Sequence, residues 1–196
     1  MSDQEKPKPI ITNVVSSVNL KTNLNLNQIA SKIEKAEYNQ NFKRIKIEID
    51  DPKATAFIYS AGKIICLGTK SLEDSRKAAR QISKMIVSLG YKVEFKDFKI
   101  VNIVASCNVN FPISLTKLMN HLVFKPTTNF VDFRYKPEIF PAFIMHMKNP
   151  KVTISIFASG KINFTGAKER ETINLAFNEI YPLVLKFKNE STFESK

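Results

Sequence analysis

Residues 54–68 alternate in a way that leaves no polar side. Phe57, Tyr59, Ile65 and Leu67 fall on one side of two short runs, and Ile58, Ile64 and Cys66 fall on the other. Period-two spacing predicts strands, and the Ser-Ala-Gly between the runs predicts a tight antiparallel hairpin. The pattern extends outward. Residues 13–20 alternate, residues 26–37 read as a short helix, and residues 44–50 make a third strand, set off by Asp-Asp-Pro. A longer helix follows, with Ser71 as N-cap, Glu73 and Asp74 in its first turn and Gly90 beyond its end. In it Ala78, Ala79, Ile82, Met85, Ile86 and Leu89 recur at three and four residues, predicting one buried stripe, while Arg76, Arg80 and Lys84 recur every four on another face.

The chain then repeats itself. "IYSAGKIICLGTK" (58–70) returns as "IFASGKINFTGAK" (156–168), 98 residues on, and Pro52/Pro150 and Phe42/Phe140 keep that offset. "TNVVSSVN" (12–19) returns as "VNIVASCN" (101–108) at an offset of 89, so nine residues are inserted between Asn102 and Phe140, with "FKPTTNFVDF" the natural place. This is a tandem duplication. The second copy predicts an alternating run at 102–109, a helix at 114–122, strands at 143–148, 152–158 and 161–166, and a helix at 168–185. That helix carries Ile173, Phe177, Ile180 and Val184 as its stripe, and Pro182 is expected to bend or fray its end. Helices cover one face of a sheet. The face bearing Phe57, Tyr59, Ile65 and Leu67 is left to solvent, and a contiguous exposed apolar patch marks an interaction surface.

Charge narrows the partner. A net charge of +12 and a pI near 9.7 point to a polyanion, nucleic acid first and an anionic membrane surface second. At 196 residues, 24% charged and 43% hydrophobic, the chain suits one large globular domain or two small halves. No apolar run reaches about 18 residues and the first nine are polar, so neither a membrane span nor a secretory leader is expected. Cys66 and Cys107 sit in apolar runs without metal-ligand spacing and read as buried thiols in a reducing compartment. His121 and His146 have no obvious partners, and no Walker loop, GxSxG elbow or HExxH motif occurs. No catalytic residue, metal or cofactor is expected.

Six stretches carry a family signature: "AEYN" (36–39), "SAGKIICLGTKSLEDSRKAAR" (60–80), "DFKIVNIVASCNVNFPI" (97–113), "KPEIFP" (136–141), "IFASGKINFTGAK" (156–168) and "AFNEIYP" (176–182). Through them residues 10–188 resemble the TATA-binding protein family. The resemblance implies an α+β fold, a saddle-shaped pseudo-two-fold tandem repeat with one curved ten-stranded antiparallel sheet and helices on its convex face. The expected organisation is a flexible N-terminal tail (1–9), a first repeat (10–97), a second repeat (98–188) and a C-terminal tail (189–196). The implied function is that of a nuclear general transcription initiation factor. It would bind and bend AT-rich promoter DNA through the minor groove and nucleate the pre-initiation complex.

Matched motif by motif, the wedges that kink DNA fall on Phe42, Tyr59, Phe140 and Phe157, with Tyr59 in place of a phenylalanine. Base and groove contacts fall on Asn13, Val15, Asn102, Val104, Ile65, Leu67, Asn163 and Thr165, and phosphate contacts on Lys63, Lys161 and Ser159. Arg76, Arg80 and Lys84 match the helix that meets transcription factor IIA and regulators, and Glu138 and Ile139 match the site for transcription factor IIB. TATA-binding-protein-associated factors, and pairing of free molecules through their exposed faces, complete the implied partners.

The departures cluster on the DNA face. Leu67 stands for a threonine, Asn163 for a valine, Ser155 for a leucine, and Ala61 for a phosphate-contacting serine. Glu48 and His146 occupy positions of arginines, and Lys136 replaces a glutamate. Glu48 repels phosphate unless a lysine neutralises it. Two readings therefore stand. One is an initiation factor that binds and bends AT-rich promoter DNA; the other is a paralogue acting mainly as a protein-interaction scaffold with relaxed or weak DNA sequence preference.

Overall fold

The computed structural model, which describes residues 6–124 and 129–189, contains two runs of elements in matching order. The first run is β1 (Ile10–Asn19), α1 (Leu26–Lys32), β2 (Ala36–Asn39), β3 (Arg44–Ile49), β4 (Ala54–Tyr59), β5 (Lys63–Thr69) and α2 (Leu72–Ser88). The second is β6 (Lys96–Asn108), α3 (Leu115–Phe124), β7 (Phe130–Lys136), β8 (Phe140–Met147), β9 (Val152–Phe157), β10 (Lys161–Ala167) and α4 (Arg170–Leu185). Residues 11–103 form one compact unit; the described residues of 104–189, with 6–10, form the other. Hydrogen-bonded strand order is β2-β3-β4-β5-β1 in one run and β6-β10-β9-β8-β7 in the other. The α+β class, the ten strands and the tandem repeat are as expected.

Alternation decides which residues the core receives. Ile58, Ile64 and Cys66 are buried, while Phe57, Tyr59, Ile65 and Leu67 stay half-buried on the opposite face. The buried set packs with Ala78, Ala79, Ile82 and Ile86 of α2 and Leu26 and Ile29 of α1. Each fully buried isoleucine contributes about 1.5–3 kcal/mol relative to exposure. In the other unit Ile154, Ile156, Ile162 and Phe164 meet Ile173, Phe177, Ile180 and Val184 of α4, the stripe read from sequence.

Several boundaries differ from the sequence reading. The first short helix stops at Lys32 rather than near residue 37, because Ala36–Asn39 pairs with β3 as a strand. That pairing sets Ala36 and Tyr38 against the core, and tertiary packing overrides local helix preference. Met85 is not in the buried stripe of α2; it is 38% exposed, and Ser75 and Ser83 take places against the sheet instead. Their hydroxyls are satisfied: Ser75 Oγ donates to Ser16 Oγ at 2.7 Å and Ser83 Oγ to the Ala79 carbonyl at 2.8 Å. Helix α4 runs past Pro182 to Leu185, closing its end with bonds from Lys186 N to Leu183 O and Phe187 N to Val184 O. Residues 125–128 of the insertion lie outside the described residues, as do 1–5 and 190–196 of the expected tails; the rest of "FKPTTNFVDF" supplies the end of α3 and the start of β7.

Ser71 caps α2 as expected, accepting from Asp74 N at 3.0 Å. The hairpin glycines are held more tightly than the sequence implies. Gly62 has φ +76°, and a Cβ there would lie 2.3 Å from the Thr22 carbonyl oxygen; Gly160, at φ +92°, would meet the Phe111 carbonyl oxygen at 2.3 Å. Gly90 also has positive φ (+93°), but open space surrounds it. Gly62→Ala and Gly90→Ala thus separate backbone conformation from steric clash. Gly90→Ala should cost about 1–2 kcal/mol in urea denaturation, and Gly62→Ala should cost clearly more.

Candidate nucleic-acid interface

Strand register assembles the exposed faces row by row. In the first unit Lys46, Phe57 and Ile65 stand abreast across β3, β4 and β5, and Glu48, Thr55 and Leu67 form the next row. Arg44 stands opposite Tyr59. In the second unit the matching rows are Ile144, Ser155 and Asn163, then His146, Thr153 and Thr165. Ala142 stands opposite Phe157. The helices lie on the other face, since the alternate residues of these strands are the ones buried with them.

Both units carry exposed aromatics beside these rows. Phe140 is 44% exposed and meets half-buried Phe157 edge-to-face at 6.0 Å. Phe42 is 64% exposed, and the Arg44 guanidinium lies between it and Phe57, 4.9 Å and 4.0 Å from the ring centres. The sequence reading missed Arg44. The alternation of Phe42, Arg44, Lys46 and Glu48 places it on this face, but only the register brings it onto Phe57.

Asn13 is oriented by the fold. Its Oδ1 accepts from Gly68 N at 2.8 Å, so its amide NH₂ is the group left to present. That is the donor needed against the acceptor-only edge of an A·T pair in the minor groove. Asn102 is half-buried at its matching place in β6, and Val15 and Val104 follow two residues on, half-buried on their strands. Lys63, Lys161 and Ser159 are exposed beside the Gly62 and Gly160 turns.

Charge on the face is partly cancelled. Lys46 Nζ lies 2.7 Å from Glu48 Oε1 and 3.5 Å from Glu37 Oε2. The hydrogen bond from Lys46 holds the Glu48 carboxyl below its ordinary range and raises Lys46 in turn. The neutralising lysine that Glu48 requires is therefore in place. His146 has partners that the sequence did not disclose: Nδ1 is 2.9 Å from Thr153 Oγ1, and Nε2 is 3.9 Å from Asp132. The His121 ring sits 5.2 Å from that of Phe187.

Away from this face, Arg76 and Arg80 of α2 lie over Phe98 and Phe95, at 4.9 Å and 5.7 Å, and those rings stack at 5.8 Å. Lys84 is exposed on the same helix. Glu138 and Ile139 are exposed in the turn between β7 and β8, where Ile139 N donates to the Lys136 carbonyl. Cys66 and Cys107 are free and buried; burial pushes the Cys66 thiol up to about 12 and raises Cys107. Among the described residues no group of His, Cys, Asp and Glu could hold a metal ion, and no helix is long and apolar enough to cross a membrane.

Comparison with known proteins matches two segments, residues 8–89 and 97–187, to the family described as "Transcription factor TFIID (or TATA-binding protein, TBP)". The chain is similar to TATA-box-binding protein 1 of Triticum aestivum, 46% identical over 182 residues that span 92% of this chain and 75% of that one. It is 44% identical to TATA-box-binding protein-like 1 of Entamoeba histolytica over 186 residues, 94% of this chain and 83% of that one. Among solved structures it is similar to Methanococcus jannaschii TBP, with a TM-score of 0.77 and 30% identity, covering 92% of this chain and 99% of that one.

Proposed function

Because the chain belongs to the TATA-binding protein family, and so is not an enzyme, we propose that it is a nuclear transcription initiation factor that binds and bends AT-rich promoter DNA through the minor groove. The observation that carries this reading is the bare sheet face present in both runs of elements. In each, aromatic rings stand at one edge, apolar or small polar residues form a floor, and a lysine stands at a hairpin rim. On this reading Phe42 and Tyr59, and Phe140 and Phe157, wedge base steps. Asn13 and Asn102, flanked by Val15 and Val104, donate to base acceptors, while Ile65, Leu67, Asn163 and Thr165 line the groove floor. Lys63, Lys161 and Ser159 meet phosphates and set register rather than sequence.

Partner surfaces follow the same logic. Arg76, Arg80 and Lys84 would meet transcription factor IIA or regulators, and exposed Glu138 and Ile139 would dock transcription factor IIB with TATA-binding-protein-associated factors nearby. This is how the pre-initiation complex would be nucleated. Free molecules would pair through the bare faces until DNA displaces the partner copy. A second reading, a scaffold with weak sequence preference, draws on Leu67, Asn163 and Ser155, which depart from the family on the floor.

Gel-shift titration of a TATA duplex against its G·C-substituted counterpart, at two salt concentrations, separates the two. The promoter-binding reading expects a TATA preference above about threefold and a steep loss of affinity with salt; a smaller preference favours the scaffold. Phe140→Ala with Phe157→Ala should reduce bending, read as energy transfer between labels on the DNA ends, and unchanged bending would remove the wedge assignment. Glu48→Gln should release Lys46 toward phosphate, tightening binding and steepening the plot of log affinity against log salt by about one unit.

A further inference from the structure

The two floors differ most in chemistry in their central row. In the first unit the central row is Lys46, Phe57 and Ile65, with Glu48, Thr55 and Leu67 in the row beside it, the threonine being common to both units. In the second it is Ile144, Ser155 and Asn163, with Thr153, Thr165 and His146 beside it. Ser155 and Asn163 are direct cross-strand neighbours on the exposed face, both half-buried. Among the described residues neither side chain makes a hydrogen bond, whereas Thr153 Oγ1 is already engaged by His146. The second floor thus offers an adjacent hydroxyl and carboxamide with unused capacity, at positions where the first floor offers a phenyl ring and an isoleucine.

What each floor does to a base pair follows from the minor-groove edge. A·T pairs present only acceptors there, and a G·C pair adds the guanine N2 amine as a donor. Against Phe57, Ile65 and Leu67 that amine loses water and gains no acceptor, which costs affinity by about fivefold or more. Against Ser155 Oγ and Asn163 Oδ1 it finds acceptors. Both groups also donate, so they serve adenine N3 and thymine O2 equally well. We infer that Asn163 and Ser155 make the second repeat tolerant of guanine, so that this protein reads a composite element, strictly A·T under the first repeat and mixed under the second. The inference rests on the minor-groove reading above and names the DNA that such a face would select.

The test isolates the amine. Inosine·cytosine presents the groove edge of G·C without N2, so the affinity ratio of I·C to G·C at one position measures the amine penalty alone. An asymmetric AT-rich duplex carries one such pair at each position of the element in turn. A cleavage reagent tethered at Ala158→Cys reports which end lies under the second repeat; Cys66 and Cys107 are buried and do not compete for the reagent. The expected profile has penalties of about fivefold or more under the first repeat and below about twofold under the second. Asn163→Val with Ser155→Leu should restore the penalty under the second repeat, and Ile65→Asn alone should lower it under the first. Equal penalties under both repeats would overturn the inference while leaving the promoter-binding reading intact. A wild-type asymmetry that survives the double substitution would overturn the assignment to these residues. No preference for the AT-rich duplex at any position would overturn both.

Discussion

A strand has two sides, and a helix laid on a sheet covers one of them. In this chain both sides of β4, and of β5, are largely apolar, so one set of side chains enters the core with α2 and the other is left at the surface. The proposed interface follows from that imbalance. Ile58, Ile64 and Cys66 pack into the core; Phe57, Tyr59, Ile65 and Leu67 remain half-buried on the opposite face.

Much of this was legible in the sequence because its signals were periodic. The alternation of residues 54–68, the 98-residue echo and the Ser71 cap with its acidic first turn all concern local geometry that one chain must satisfy by itself. What escaped depended on neighbours. Ala36–Asn39 is four residues with no pattern long enough to read, and only pairing with β3 makes it a strand. Ser75 and Ser83 look like surface residues until their bonds to Ser16 and Ala79 are known. Arg44 lies on Phe57 because β3 and β4 are in a particular register, and residue spacing along one strand does not encode that. Asn13 was singled out by motif, but the direction of its amide is set by Gly68, more than fifty residues away in the chain.

Duplication poses a further problem. Two identical halves reading a helical polymer would have no means of telling one direction along it from the other. Here matched positions differ on the exposed face, Phe57 against Ser155 and Ile65 against Asn163, and in the cores as well, Ala56 against Ile154 and Cys66 against Phe164, while Ile58 and Ile156, Ile64 and Ile162 are the same. The neutral Lys46–Glu48 pair in one half and the His146–Thr153 contact in the other belong to that divergence.

The arginines of α2 show how a surface charge is ordered by what lies beneath it. Long cationic side chains ordinarily sample many rotamers and surrender that freedom when a partner engages them. Arg76 and Arg80 rest on Phe98 and Phe95, so part of that freedom is already gone in the free protein. An acidic group approaching α2 would meet charges that are already partly ordered, and the aromatic bed beneath would affect its grip without touching it.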